Sequence, residues 1–169
     1  MGFVLEVLDA GKTYTEQKNF DCNHAVINKF VHGSLKQQVK HGTSVAWVLL
    51  DCGHNDRFVG FFTLMMAQTD QSLLTPLGGK SLPGQVPCTR LVMLGVDSRY
   101  KGQDLGLRLL KHAISETKIA ANGLGCRGVY LDADPHAVGF YRKYGFQVLQ
   151  APISVKDPTP MFLFRESFF

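Results

Sequence analysis

The run Val96-Asp97-Ser98-Arg99-Tyr100-Lys101-Gly102-Gln103-Asp104-Leu105-Gly106-Leu107-Arg108-Leu109-Leu110 constrains this chain more than any other. An apolar stretch, residues 88–96, ends in a glycine-bearing basic loop that runs straight into a helical pattern. In that helix Leu105, Leu109, Ala113 and Thr117, with Leu110 and Ile114, fall on one face, and Asn122-Gly123 marks its end. A strand, a glycine loop and a helix in that order make an anion cradle. Loop amides pointing past a helix N-terminus, with the helix dipole behind them, favour a phosphate group, and Gly102 and Gly106 let the backbone come close to it. Alone, such a Gly-x-x-x-Gly run equally describes a tight strand-to-helix turn, so the rest of the chain has to decide.

The remaining pattern is one α/β run without repeats. Residues 3–8 read as a first strand, and Asp21 is placed to cap a helix over 23–31, followed by a second over 34–40. Residues 43–51 and 58–68 read as a hairpin around the turn-like cluster 52–57. Residues 69–87 hold Pro76, Gly78, Gly79, Pro83, Gly84 and Pro87 and read as a long loop, a kind of segment that often carries function. Strands over 88–96, 127–133, 146–150 and 161–164 complete the set. Between the last of these, Asp134-Pro135-His136-Ala137-Val138-Gly139-Phe140-Tyr141-Arg142-Lys143-Tyr144-Gly145-Phe146 reads as a short helix, with Asp134 as N-cap and Gly145 as the stop.

Composition narrows the class. A chain of 169 residues, 45% hydrophobic, fits a single domain over 1–169 with a full core. The net charge of +4 permits an anionic partner without requiring one. The first ten residues carry Glu6 and Asp9 and lack a basic segment, which does not suit a signal peptide. The longest apolar stretch, 58–67, is about half of what a membrane helix needs, so a cytoplasmic protein without membrane contact is expected. Cys22, Cys52, Cys88 and Cys126 are singletons without a C-x-x-C pair, which argues against zinc and disulfides and for reduced, mostly core thiols.

The loop resembles the acetyl-CoA pyrophosphate loop of the GNAT superfamily of N-acetyltransferases, written Q/R-x-x-G-x-G/A. Lys101 takes the first place, Asp104 stands where the first glycine belongs, and Gly106 fills the last. The segment 134–146 is similar to the A-x-x-F-Y-x-x-x-G-F stretch that ends the GNAT core. The resemblance implies a mixed α/β (α+β) fold: a mostly antiparallel twisted sheet of six to seven strands, splayed at the CoA site, with about four helices. It also implies acetyl-CoA as cosubstrate and no metal. Backbone of Leu94, Gly95 and Val96 would pair with pantetheine, while Lys101, Gly102, Gln103, Asp104, Leu105 and Gly106 would hold the pyrophosphate. Tyr141 would be the acid that protonates the leaving thiolate, and Tyr144 would be structural.

The N-terminal half narrows the resemblance. Phe20-Asp21-Cys22 entering a helix with Ile27-Asn28-Lys29-Phe30, then Val59-Gly60-Phe61-Phe62-Thr63-Leu64, a Pro-rich loop and Leu94-Gly95-Val96-Asp97 look like the GNAT toxins of bacterial toxin–antitoxin modules. What this implies is acetylation of the α-amino group of aminoacyl-tRNA, which blocks translation, by a homodimeric toxin with a ribbon-helix-helix antitoxin. Met93 departs from the arginine such toxins often carry there. No general base is obvious, and an ester-linked α-amine, with a pKa below the ~8 of a peptide amine, needs little help from one. Lys29, Lys36, Lys40 and Arg90 are candidate RNA contacts, with Arg99, Arg142 and Lys143 further along the same path. Asp134, Lys80 and His136 could border the acceptor tunnel. Asp104 is expected to impair the cradle, because a like charge about 4 to 5 Å from a phosphate costs on the order of a few kcal/mol, and the lost glycine conformation would add to that. Two alternatives stay open: a GNAT enzyme acting on a small amine or a protein N-terminus, and a CoA-deficient relative that acts only by binding a partner.

Overall fold

Alternation of β-branched and aromatic residues around a polar turn makes the hairpin at the start of the sheet. In the computed structural model, which describes residues 2–78 and 81–169, β2 (Val45–Asp51) pairs antiparallel with β3 (Arg57–Asp70) in the register Val45↔Leu64 to Asp51↔Arg57, shifted once between Leu49 and Leu50. β1 (Phe3–Val7) pairs antiparallel with β2 from Phe3↔Asp51 to Val7↔Trp47. Further on come β4 (Gln85–Val96), β5 (Gly128–Ala133), β6 (Gln147–Val148) and β7 (Thr159–Phe164). The seven strands form one open sheet in the order β1-β2-β3-β4-β5-β7-β6, mostly antiparallel, with β4 and β5 parallel at Thr89↔Val129 and Arg90↔Tyr130.

The helices are α1 (Ala25–Gly33), α2 (Leu35–Lys40), α3 (Gln71–Leu74), α4 (Leu105–Gly123) and α5 (Val138–Lys143). Five helices exceed the expected four because the segment 69–87 is not all loop. Asp70 accepts a hydrogen bond from the Ser72 amide at 2.9 Å and starts α3, and β4 begins at Gln85. Two other helix starts differ from the sequence reading. α1 is capped by His24, whose Nδ1 accepts from the Ile27 amide at 3.3 Å, while Asp21 instead takes the Asn23 amide and the Asn28 side chain. Asp134 closes a turn through the amides of His136 and Ala137, at 3.0 and 2.8 Å, so α5 begins only at Val138.

The chain forms two compact units, 1–65 with 92–113 and 66–91 with 114–169. In the first, α1 and α2 cover β2 and β3 over a core of Phe20, Phe30, Val31, Leu35, Val48, Phe58 and Phe61. Phe20 meets Phe58 and Phe61 edge-on at 5.4 and 5.8 Å, the arrangement aromatic quadrupoles favour. In the second, β5 pairs with β7 along its length from Gly128↔Phe164 to Ala133↔Thr159, and Leu74, Val86, Cys88, Phe162 and Phe164 are buried together. Cys88 and Cys126 are buried and Cys22 half-buried, whereas Cys52 is exposed and departs from the expected core thiol; all four are unpaired.

Candidate active site

β4 delivers Leu94, Gly95 and Val96 to the start of the loop. A side chain at Gly95 would stand 3.1 Å from Ile27 and 3.4 Å from Phe20 and Phe61, so this backbone lies directly on the aromatic core. Beyond it the strand stops because Asp97 caps a tight turn, Ser98–Tyr100. Its Oδ1 accepts the Arg99 amide at 3.0 Å, its own amide donates to Val59 O at 2.8 Å, and Ser98 donates to Asp21 O at 2.8 Å. Lys101, Gly102, Gln103 and Asp104 follow and are exposed; Leu105 is buried and Gly106 half-buried. Gly102 has φ +78° and Asp104 φ +57°, two left-handed positions that turn successive amides. The carbonyl of Asp104 then accepts the Arg108 amide at 3.1 Å, the first bond of the 19-residue α4. The amides of Leu105, Gly106 and Leu107 precede that bond and have no partner of the i−4 kind within α4.

The expected steric loss at Asp104 is corrected by this geometry. Aspartate is among the few side chains that populate the left-handed region readily, and Asp104 adopts it at φ +57°. What remains is its charge beside an anion cradle. No acidic residue lies in the first turn of α4 itself.

Around the turn runs a polar network that sequence reading missed. The buried Asp97, 1% exposed, takes the Arg99 guanidinium at 3.0 and 3.1 Å. Burial pushes its carboxyl up, but the hydrogen bonds from Arg99 and Asp21 outweigh that and hold it below the usual range. Arg99 also reaches Glu16 at 3.5 Å, and Glu16 pairs with Arg57. Arg57 donates to the Tyr100 hydroxyl at 3.1 Å, and Tyr100 donates to Asp51 at 2.5 Å. Asp51 accepts as well from His54 Nδ1 at 2.6 Å and from the Gly53 amide at 3.0 Å. Asp97, Arg99 and Tyr100 lie in one turn, Asp51, His54 and Arg57 around another and Glu16 apart from both, so no local signal joins them.

Tyr141 lies on α5 in the second unit. It is 9% exposed, with Phe140 and Phe146 at ring distances of 5.1 and 5.5 Å. Burial alone pushes its phenol up to about 12. Tyr144 packs on Phe140 at 5.2 Å and Phe169 at 5.8 Å.

The four candidate RNA contacts divide. Lys29 and Lys40 are exposed, with no ion pair among the described residues. Lys36 donates to Lys12 O at 2.6 Å and lies 5.7 Å from the Tyr14 ring, at the edge of a cleft of about 570 Å³ lined by residues 13–19 and the end of α1. Arg90 is bound to Asp132 at 2.9 Å and lies over Tyr130. Arg99 is likewise held by Asp97 and Glu16. Met93 packs half-buried on the first core, and Lys80 lies outside the described residues. Among the described residues no group of acidic, histidine and cysteine side chains is arranged to hold a metal, and no helix is long and apolar enough to cross a membrane.

Comparison with known proteins fits this arrangement. The acetyltransferase (GNAT) domain family matches residues 11–159, and the chain belongs to that family. A tRNA-acetylating toxin of Mycobacterium tuberculosis is 31% identical over 108 residues, 63% of this chain and 62% of that protein. The match therefore spans under two thirds of that relative's length. A crystal structure of a bacterial toxin superposes with TM-score 0.93 at 33% identity, covering 98% of this chain and 92% of the other. A variant of the toxin AtaT, bound to the C-terminus of the antitoxin AtaR and acetyl-CoA, shares the fold with TM-score 0.81 at 22% identity over 98% and 95% of the two chains.

Proposed function

We propose that the chain is an acetyl-CoA-dependent toxin that acetylates the α-amino group of aminoacyl-tRNA and so blocks translation. The observation that carries the reading is the likeness to the tRNA-acetylating toxin of Mycobacterium tuberculosis, taken with the strand, left-handed loop and long helix that this chain builds. Acetyl-CoA supplies an acetyl group activated as a thioester. Backbone of Leu94, Gly95 and Val96 orients the pantetheine, and the amides from Lys101 to Gly106 take the diphosphate, with Lys101 adding charge. The backbone of the loop suits an anion and the Asp104 carboxylate opposes it, so donor binding is weakened rather than lost. Tyr141 is the proton donor to the departing thiolate. A phenol pushed up to about 12 stays protonated at neutral pH and is always in the donating form. The acceptor amine, partly neutral at physiological pH, needs no dedicated base. The partners in this reading are the aminoacyl-tRNA, a second copy of the chain and a ribbon-helix-helix antitoxin, and the compartment is the cytoplasm.

The test is incubation with labelled acetyl-CoA and charged total tRNA, beside a cell-free translation assay and beside the Asp104→Gly protein. Label on aminoacyl-tRNA together with translational arrest is expected. Label on free amines or peptides with translation intact would move the chain to a small-amine or N-terminal acetyltransferase. Failure of both proteins to bind acetyl-CoA in calorimetry would leave a partner-binding role.

A further inference from the structure

An amide cradle recognises an anion well only if its donors are aimed before the anion arrives; otherwise binding is weakened by the cost of ordering the loop. Residues 101–104 are exposed and include two left-handed positions, and no side-chain hydrogen bond among the described residues holds them. Their direction is therefore imposed from the ends. At the far end buried Leu105 anchors α4. At the near end stands the turn Ser98–Tyr100.

We propose that Tyr100 is the positioning residue of this cradle, its hydroxyl clamped between Asp51 and Arg57 so that the turn, and the loop that leaves it at Lys101, has one orientation. This rests on the acetyl-CoA reading of the loop. A phenol has one proton to give and lone pairs to receive; here the proton goes to Asp51 at 2.5 Å and the oxygen accepts from Arg57 at 3.1 Å. The ring is 8% exposed and meets Phe3 edge-on at 5.8 Å, which fixes the plane in which the hydroxyl lies. Arg57 passes on to Glu16, Glu16 to Arg99, and Arg99 to Asp97, the residue that caps the same turn. The circuit thus leaves the turn at Tyr100 and returns to it at Arg99, gripping it on both sides. Both guanidiniums are engaged by carboxylates within this circuit, which assigns them to holding the loop rather than to holding phosphate. Burial and the Asp51 carboxylate push the Tyr100 phenol up, so the donor is protonated at neutral pH, and Tyr100 in turn heads the groups that hold Asp51 low.

The experiment compares Tyr100→Phe, Asp51→Asn and the double variant with the parent chain, using two acetyl donors: acetyl-CoA, and S-acetylpantetheine, which has the thioester without the diphosphate. Phe keeps the ring and its contact with Phe3. Loss of one charge-assisted hydrogen bond is expected to raise the acetyl-CoA Kd and KM about tenfold, with kcat within about twofold. Turnover of S-acetylpantetheine should be unchanged. The double variant should bind acetyl-CoA no worse than the weaker single one, because both act through the same bond. Equal losses with both donors, unchanged acetyl-CoA affinity, or additive effects in the double variant would overturn the proposal. Asp51→Asn, which keeps the shape of the side chain, decides the matter should Tyr100→Phe fail to fold. A parent chain that binds no acetyl-CoA even as Asp104→Gly would instead overturn the acetyl-CoA reading, and the two failures are thereby told apart.

Discussion

The cradle and the Tyr141 segment are built on opposite physical principles. Around the turn that feeds the cradle the charges are paired, Asp97 with Arg99, Glu16 with Arg57, and Asp51 with His54 and the Tyr100 hydroxyl, while Lys101 and Asp104 of the loop itself are exposed. Tyr141 packs its ring on Phe140 and Phe146, and its phenol takes part in no side-chain hydrogen bond among the described residues. In the first region paired charges hold the turn, and in the proposed function the backbone amides beyond it do the recognising. The second buries the ring of a phenol that the proposed function uses as proton donor. A site for a stable anion is best made of fixed dipoles, and burial keeps a phenol in its protonated form.

The largest expected effect breaks the second half of this comparison. Tyr141→Phe keeps the ring against Phe140 and Phe146 and removes only the proton. It should lower turnover about 10²-fold, the usual worth of general acid catalysis, with acetyl-CoA affinity unchanged. The measurement is kcat by labelled acetyl transfer on the Asp104→Gly background. Equal turnover would make the hydroxyl structural, and the same loss from Tyr144→Phe with Tyr141→Phe silent would move the role to Tyr144.

A second test reads the burial of that phenol through stability. An ordinary tyrosine titrates near ~10 and Tyr141 is pushed up to about 12, so the unfolded chain ionises first. Stability from the buried neutral phenol is complete below pH ~10 and is lost as pH rises through about 12, a total of about 2 to 3 kcal/mol. Tyr130 is raised to the same value by burial and by Asp132 and falls over the same range, so the comparison must be with Tyr141→Phe. Urea unfolding at pH 9 and pH 11 should show a smaller alkaline loss in that variant; identical losses would place Tyr141 in contact with water.

The third test separates charge from conformation at the cradle. Asp104→Asn keeps a side chain that tolerates φ +57° and removes the charge; Asp104→Gly removes both constraints. Because the structure already holds the left-handed backbone with aspartate in place, the two variants should tighten acetyl-CoA equally, by about tenfold or more. Calorimetry in which only glycine improves affinity would make the backbone the cause. Equal or weaker affinity for both would end the like-charge argument.

Much of this was legible in the sequence where the signal is local. The run from Val96 to Leu110 is strand, loop and helix as expected, and Gly102 and Gly145 sit at the positive φ values that stops and turns require. The alternation in 43–51 and 58–68 found the β2–β3 hairpin. Local reading misplaced the caps, because Asp21 and Asp134 each have an alternative turn to close within two or three residues. It missed the clamp on Tyr100 entirely. Asp51 and Arg57 lie more than 40 residues before it, and a tyrosine next to a glycine loop looks the same whether its hydroxyl is bonded or not.

The smallest effect concerns the basic residues. Sequence alone treats Lys29, Lys36, Lys40 and Arg90 alike, and the structure does not. Arg90 is bound to Asp132 at 2.9 Å and stacked over Tyr130, so turning it toward a phosphate would mean breaking an existing ion pair. Lys40, exposed at the end of α2, has nothing to give up. If RNA runs along α1 and α2, Lys40→Gln should raise the KM for aminoacyl-tRNA about two- to threefold and flatten the salt dependence of binding by roughly one unit of slope, while Arg90→Gln leaves both unchanged. The salt slope is the sharper reading, since a lost phosphate contact lowers it and a general loss of stability does not. A flattened slope for Arg90→Gln with Lys40→Gln silent would put the RNA path on the second unit, and the lysines of α1 and α2 would then be ordinary solvated charge.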